Sequence, residues 1–355
     1  MISIPVSAST PYRVDIAPGL LSCVGERLLQ LNQTPCRVCI LSDDNVYPLY
    51  GETVCTSLKD AGFSVSSFVI AHGESSKCLS VYGAFLNYLA KEHFSRTDWL
   101  IALGGGVVGD LCGFSAATYL RGVRYMQIPT SLLAMVDSSV GGKTAVDLPA
   151  GKNLCGAFYP PHAVLCDVRA LETLPAETFS DGMAEVIKYG ILFDAELIDI
   201  LSRDGTAFDR ETVIARCIDH KRRVVEEDEF DRGTRQLLNF GHTPAHGIEQ
   251  HSDYTITHGS AVAAGMGIIT RAAEAMGLIK EPFSEKLSAL LHAFGLPDNT
   301  DYPASALTDA MLSDKKRDGG IIRLVIADRI GHAFLYPCPT EDCEQFIARG
   351  ISSDR

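Results

Sequence analysis

Hydrophobic and polar positions change rhythm about halfway along the chain. In the first half, short β-rich runs alternate with stretches of helical periodicity. Residues 37–41 and 63–70 read as strands, with a turn and helix start at 43–46 between them. A helical pattern covers 79–93. Residues 98–103 form a third apolar run that passes straight into glycines, and 123–128 a fourth. Strands alternating with helices predict a parallel sheet. Beyond residue 170 the texture is different: 181–192, 210–227, 260–277 and 282–294 carry helical periodicity with few β-rich runs. Residues 321–327 and 331–335 predict a terminal hairpin. No internal repeat or low-complexity linker interrupts the chain. The pattern therefore predicts an α/β domain with a parallel sheet over residues 1–170, followed by a mainly α-helical domain over 171–355.

The glycines after the third strand are Gly104-Gly105-Gly106-Val107-Val108-Gly109-Asp110, and a helical pattern follows them. Strand, glycines and helix in that order suit a backbone cradle for a pyrophosphate at a helix N-terminus. The acidic residue expected about 20 positions further on is absent, because that region holds Arg124 to Thr130. Asp44, at the end of an earlier strand, is the candidate ribose-holding carboxylate. Gly142-Lys143-Thr144 looks like the end of a P-loop, but Asp137 stands where that motif needs its first glycine, which excludes a nucleotide-triphosphatase reading. Lys143 and Lys152 lie among Gly, Thr and Asn, a setting common for lysines that contact anions.

The densest chemistry lies in the second half. Arg235, Asn239, His242, His246 and His258 fall within about two dozen residues. His242 and His246 are four apart and share one helix face. His258 opens a segment of small residues. Two imidazoles from separate elements and one distant carboxylate make a common catalytic zinc set with a position left open. Glu185, at i,i+3 from Lys188, is the candidate carboxylate, and an intrahelical salt bridge is the alternative use of that pair. An arginine and an asparagine nearby suit an anionic, hydroxylated ligand.

Bulk properties narrow the classes. The chain has 355 residues and a net charge of −13, which argues against nucleic-acid binding, since that needs a basic footprint. No run reaches the roughly 18 apolar residues of a membrane span, and the N-terminus shows no basic region followed by an apolar one. Eleven scattered cysteines read as reduced thiols of a cytoplasmic protein. Cys36 and Cys39 have CxxC spacing within a strand-like run, where burial is the simpler expectation.

Together these residues resemble the 3-dehydroquinate synthase family. The anchors are Gly73-Glu74 with Lys77, Gly104 to Asp110, Tyr119-Leu120-Arg121-Gly122, Pro129-Thr130-Ser131, Asp137 to Lys143 and Gly151-Lys152-Asn153. They continue through Ala184-Glu185 with Lys188, Lys221, Arg235 to His246, His258-Gly259, and Asp314-Lys315-Lys316. The resemblance implies a Rossmann-like N-terminal domain, NAD+ and Zn2+ (or Co2+) as cofactors, and a homodimer. It implies metal ligands at Glu185, His242 and His258. NAD+ contacts would fall on Asp44, Glu74, Lys77, Gly106, Val107, Val108, Gly109, Asp110, Thr130, Ser131, Lys152, Leu171 and Thr173. Substrate contacts would fall on Asp137, Lys143, Asn153, Lys188, Lys221, Arg235, Asn239, His246 and one of Lys315 and Lys316, with Arg121 reaching across the dimer. His246 is the candidate for proton transfer near the phosphate.

The implied reaction turns 3-deoxy-D-arabino-heptulosonate 7-phosphate into 3-dehydroquinate and phosphate. Three positions depart from the family pattern: Ala245 for a glycine, Ser260 for a glutamate, and Asp231 for a glutamate sometimes assigned as proton acceptor. The rival readings are a sibling sugar phosphate cyclase and a metal-dependent polyol dehydrogenase.

Overall fold

A computed structural model describes residues 1–308 and 320–351. Its strands are β1 (Ile2–Val6), β2 (Tyr12–Ala17), β3 (Arg37–Asp43), β4 (Ser64–Ile70), β5 (Trp99–Gly104), β6 (Arg124–Pro129), β7 (Lys143–Leu148), β8 (Gly151–Phe158), β9 (Ala163–Asp167), β10 (Ile321–Arg329) and β11 (His332–Pro339). The main helices are α1 (Val24–Asn32), α2 (Tyr47–Asp60), α3 (Leu79–Lys91), α4 (Gly106–Thr118), α5 (Ala176–Phe193), α6 (Ala195–Asp204), α7 (Arg210–Glu227), α8 (His242–His251), α9 (His258–Ala275), α10 (Ser284–Ala293) and α11 (Thr340–Ala348).

Seven strands form one sheet in the order β1-β2-β9-β6-β5-β3-β4, parallel throughout except for the β1–β2 pair. The interior strand β5 shows why it is buried on both sides. Its side chains alternate by face: Trp99, Ile101 and Leu103 join one apolar cluster with Val54 and Leu58, while Leu100 and Ala102 join another with Phe85 and Leu89. A strand covered on both faces reads as a continuous apolar run, as this one does. The chain steps from β3 outward to β4 and returns to the other side of β3 as β5. The C-terminal ends of β3 and β5 therefore flank a topological switch point, where ligands of such sheets bind.

The chain separates into two compact units. The first comprises residues 1–175 and 210–230, the second 176–209 and 231–355. The sequence pattern had assigned 210–227 to the helical half. In the structure α7 belongs with the first unit, because the Lys221 ammonium lies 2.9 Å from Asp137 Oδ1 and donates to the Asp137 carbonyl at 2.7 Å. Two more ties hold its end: Ser7 N–H donates to Glu226 and Ser9 N–H to Glu229. A linear change of texture does not reveal a segment that leaves and comes back.

In the second unit α9 is the buried axis. Its small residues let other backbones come close. A Cβ on Gly265 would stand 2.0 Å from the Gly241 carbonyl oxygen, and one on Gly259 would stand 2.0 Å from that of Asp181. The hairpin expected near the end is present as the antiparallel pair β10–β11. Among the described residues no helix is long and apolar enough to cross a membrane.

Candidate active site

The two close approaches on α9 determine what meets at its N-terminus. Gly259 docks against α5, the helix that carries Glu185. Gly265 docks against Gly241, the residue immediately before His242. His258 is the first residue of α9. The ligand atoms of Glu185, His242 and His258 consequently all lie within 4.8 Å of one another. Glu185 Oε1 is 3.6 Å from His242 Nε2 and 3.7 Å from His258 Nε2. Ligands about 2.1 Å from a tetrahedral zinc are separated by about 3.4 Å, so these three groups fit a divalent ion.

Their surroundings favour the same use. His242 Nδ1 is 3.1 Å from the Phe240 carbonyl, which can only accept, so Nδ1 carries the proton and Nε2 is left as a ligand atom. Burial depresses His242 first, and the Lys188 ammonium adds to it, bringing its pKa to about 3. Burial presses on His258 as well, but Glu185 and Glu249 outweigh it and raise that imidazole to about 10. Lys188, 1% exposed, rests its ammonium on Glu185 Oε2. The helical ion pair foreseen as the alternative is therefore present, and it occupies the carboxylate oxygen opposite the imidazoles. His246 extends the cluster one turn further, with its ring 6.1 Å from that of His242. Arg235 is buried at 2% exposure in the short helical turn Thr234–Asn239, whereas Asn239 is exposed. A cleft of about 610 Å³ in this unit is lined by Glu177, Ile248, Ser260, Ala264, Asp301 and Tyr302 among others. None of the histidines lines it, and the convergent ligand set locates the chemistry better than cleft size does.

In the first unit some of the residues expected to contact a nucleotide lie close together. Gly105 precedes α4 in an extended conformation with no side-chain cap, so the first N–H groups of α4 are available to an anion. Thr130 N–H donates to Gly104 O at 3.0 Å, which ties the end of β6 to the loop. Lys77, 4% exposed, has its ammonium 2.6 Å from Asp110 and 2.5 Å from Asn153 Oδ1, with Glu74 at 3.7 Å. Burial would lower Lys77, but Asp110 and Glu74 hold it above its ordinary value. Asn153, expected as a substrate contact, is thus bound into the Lys77 cluster, and Asp147 accepts its backbone N–H at 2.8 Å. Asp44 accepts both the backbone N–H and the ring Nδ1 of His72, each at 2.8 Å. Tyr50 bonds to Thr173 and to the Ala170 carbonyl, which steadies the turn containing Leu171. Asp137, in the π-type turn Ala134–Ser138, pairs with Lys221 of α7.

Lys143 and Arg121 are exposed, and Lys152 is half-buried. Arg121 and Leu120 both have positive φ, 65° and 49°. Lys315 and Lys316 lie outside the described residues. Asp231, at φ 57°, is half-buried, and Ser260 Oγ accepts from Thr257. Sequence reasoning missed Asp147, Tyr50, Asp181 and Glu249. The first two left no motif. Asp181 and Glu249 stand at helical spacing from Glu185 and His242, which was the available signal.

Two family models match the chain: 3-dehydroquinate synthase N-terminal over residues 67–181 and 3-dehydroquinate synthase C-terminal over residues 182–317. A 3-dehydroquinate synthase from Streptococcus gordonii is 44% identical over 346 residues, covering 96% of this chain and 97% of the relative. Among solved structures, a 2-deoxy-scyllo-inosose synthase complexed with carbaglucose-6-phosphate, NAD+ and Co2+ superposes with a TM-score of 0.87 at 24% identity, covering 99% of this chain and 100% of the other. A 2-epi-5-epi-valiolone synthase from Streptomyces hygroscopicus with NAD+ and Zn2+ bound gives 0.86 at 25% identity, covering 96% of each chain.

Proposed function

The chain belongs to the 3-dehydroquinate synthase family, and from that premise we propose how its own residues divide the work. It is a carbon–oxygen lyase that converts 3-deoxy-D-arabino-heptulosonate 7-phosphate to 3-dehydroquinate and phosphate, with NAD+ and a divalent metal as cofactors. The observation that carries the assignment of roles is the convergence of Glu185, His242 and His258 within 4.8 Å. Bound at these sites, the nicotinamide supplies a hydride acceptor restored in each turnover, and the metal a Lewis acid toward the substrate hydroxyls.

Glu185, His242 and His258 hold the metal. Lys188 keeps the Glu185 carboxylate fixed through their ion pair and places its ammonium at the edge of the substrate's position. His246, exposed and one helical turn from His242, passes protons near the phosphate. Arg235 is suited to the substrate carboxylate through its planar fork, and Asn239 to the phosphate. In the first unit the N-terminus of α4, Glu74, Lys77, Asp110, Thr130, Ser131 and Lys152 hold NAD+. Asp44 and the turn with Leu171 and Thr173 complete its surroundings. Lys143, Asn153, Asp137 and Lys221 are proposed as substrate contacts, Asn153 from its place beside Lys77 and Asp137 and Lys221 as a pair. Arg235, Asn239 and His246 together favour the dehydroquinate branch over the sibling cyclases.

We further propose a homodimer with Arg121 at its interface, supported by an exposed arginine held in a left-handed backbone beside the exposed Leu120. A reducing, cytoplasmic setting is supported by eleven cysteines, none in a disulfide. The deciding assay mixes protein, substrate, NAD+ and Zn2+ and follows phosphate together with absorbance of NADH. Stoichiometric phosphate and dehydroquinate with no net NADH is expected. NADH accumulating on a polyol, with no phosphate released, would overturn the reading.

A further inference from the structure

The first turn of α9 begins with His258, yet nothing local caps it. Thr257 occupies the cap position and gives its hydroxyl proton to Ser260 Oγ at 2.9 Å instead of accepting a backbone N–H. The acceptor comes from α5. Asp181 Oδ1 takes the Gly259 N–H at 2.6 Å and the Ser260 N–H at 3.2 Å. Asp181 lies one turn before Glu185 on the same helix face. One face of α5 thus supplies a candidate metal ligand and the cap of the helix that opens with another. The fit is close, since a side chain at Gly259 would collide with the Asp181 carbonyl.

A second carboxylate reaches the ring of the same residue. Glu249 is on α8, two turns beyond His242 and on the same face. It is 5% exposed, and its Oε1 lies 3.6 Å from His258 Nδ1, facing that ring nitrogen. A carboxylate buried to this degree is costly without a cationic or N–H partner, and the imidazole supplies one. With Nδ1 turned to Glu249, Nε2 turns to Glu185. His242 has a backbone carbonyl in the corresponding place. The two imidazoles are therefore oriented by different devices, one neutral and one charged.

We propose that Asp181 and Glu249 are positioning residues for His258: Asp181 fixes its backbone by capping α9, and Glu249 fixes its ring through Nδ1, so that Nε2 is presented to the metal. The inference rests on the reading of Glu185, His242 and His258 as metal ligands, and partners of this kind orient metal-bound histidines elsewhere.

The test uses full-length protein loaded with Co2+. Affinity is measured by competition with a chelator, and coordination by the visible absorption of the ion. His258→Ala is the control for the ligand assignment. Asp181→Ala and Glu249→Ala should each weaken Co2+ binding by about 10- to 100-fold and alter the absorption band. Asp181→Asn and Glu249→Gln keep an acceptor in place and should recover most of both. Wild-type affinity and spectrum in both alanine variants, with binding lost in His258→Ala, would overturn the positioning roles and leave the ligand set standing. Wild-type affinity in His258→Ala would overturn the ligand set, and the inference with it. If Asp181→Ala fails to fold, the contrast between Glu249→Ala and Glu249→Gln decides.

Discussion

Glu185 Oε1 lies 3.7 Å from His258 Nε2, while the other oxygen of the same carboxylate holds the Lys188 ammonium. One buried carboxylate thus meets an imidazole from another helix on one side and a cation of its own helix on the other. Replacing it with glutamine keeps the shape and removes the charge. Glu185→Gln should lose more than tenfold in zinc affinity and nearly all turnover. Metal content after dialysis against a chelator checks this, and full zinc retention would remove Glu185 from the ligand set.

Lys188 should show two separable effects. Lys188→Met leaves the carboxylate without its cation, which destabilises the metal-free protein by about 3 kcal/mol. Added zinc supplies positive charge and should restore part of that loss. Urea unfolding with and without metal measures both. An unchanged midpoint in the metal-free variant would mean that the pair does not contribute to stability.

Lys77 joins Asp110, Glu74 and Asn153 in the first unit. Lys77→Met should raise the Kd for NAD+ by about tenfold or more, the scale of losing a charge-assisted contact of about 1.5–3 kcal/mol, while zinc binding stays unchanged. Calorimetric titration with each ligand separates the two outcomes.

Gly265 is a packing residue with a consequence for the metal site. Gly265→Ala places a methyl 2.0 Å from the Gly241 carbonyl oxygen, and the backbones must part at a cost of about 2–3 kcal/mol. Because His242 follows Gly241, zinc affinity should fall together with thermal stability. A lower melting point with full zinc affinity would uncouple them.

His162 makes stability depend on acid pH. Burial first, and the Arg124 charge second, lower its pKa from 6.5 to about 4. The unfolded chain binds this proton near pH 6.5 and the folded chain does not until about pH 4. The contribution is present above pH 6.5 and is lost as pH falls from 6.5 toward 4. The linkage bound is about 3 kcal/mol, and partial exposure reduces it to about 1–2. His162→Gln should show a shallower loss of unfolding free energy between pH 7 and 4.5, and an identical slope would contradict the shift.

The legible part of the fold was the part with a strong period. Strands β3, β5 and β6 are almost wholly buried apolar runs, β4 is half-buried but β-rich, and α5, α7, α9 and α10 carry helical periodicity. The hairpin β7–β8, which presents Lys143, Lys152 and Asn153, left little trace because most of β8 is exposed or half-buried. The edge strand β1 and its neighbour β2 were likewise unread. At the site, the histidines, the glycine loop and Glu185 could be picked out by residue type. Asp181 and Glu249 could not be picked out by residue type alone, because a carboxylate at helical spacing from Glu185 or His242 is ordinary until His258, on another helix, is seen to need it. Lys221 was placed only by resemblance, since its partner Asp137 is remote in the chain.

The path of the chain has a consequence for how it is made. It passes between units after residues 175, 209 and 230, and Asp137 waits for Lys221. At synthesis rates of about 5–20 residues per second, the sheet emerges seconds before α7, the helix that finishes it, and residues 176–209 emerge in between. Neither unit is a contiguous product of translation. A nascent chain halted shortly after residue 175 should remain protease-sensitive around β1, β2 and the Asp137 turn, and should gain protection once residue 230 has cleared the ribosome.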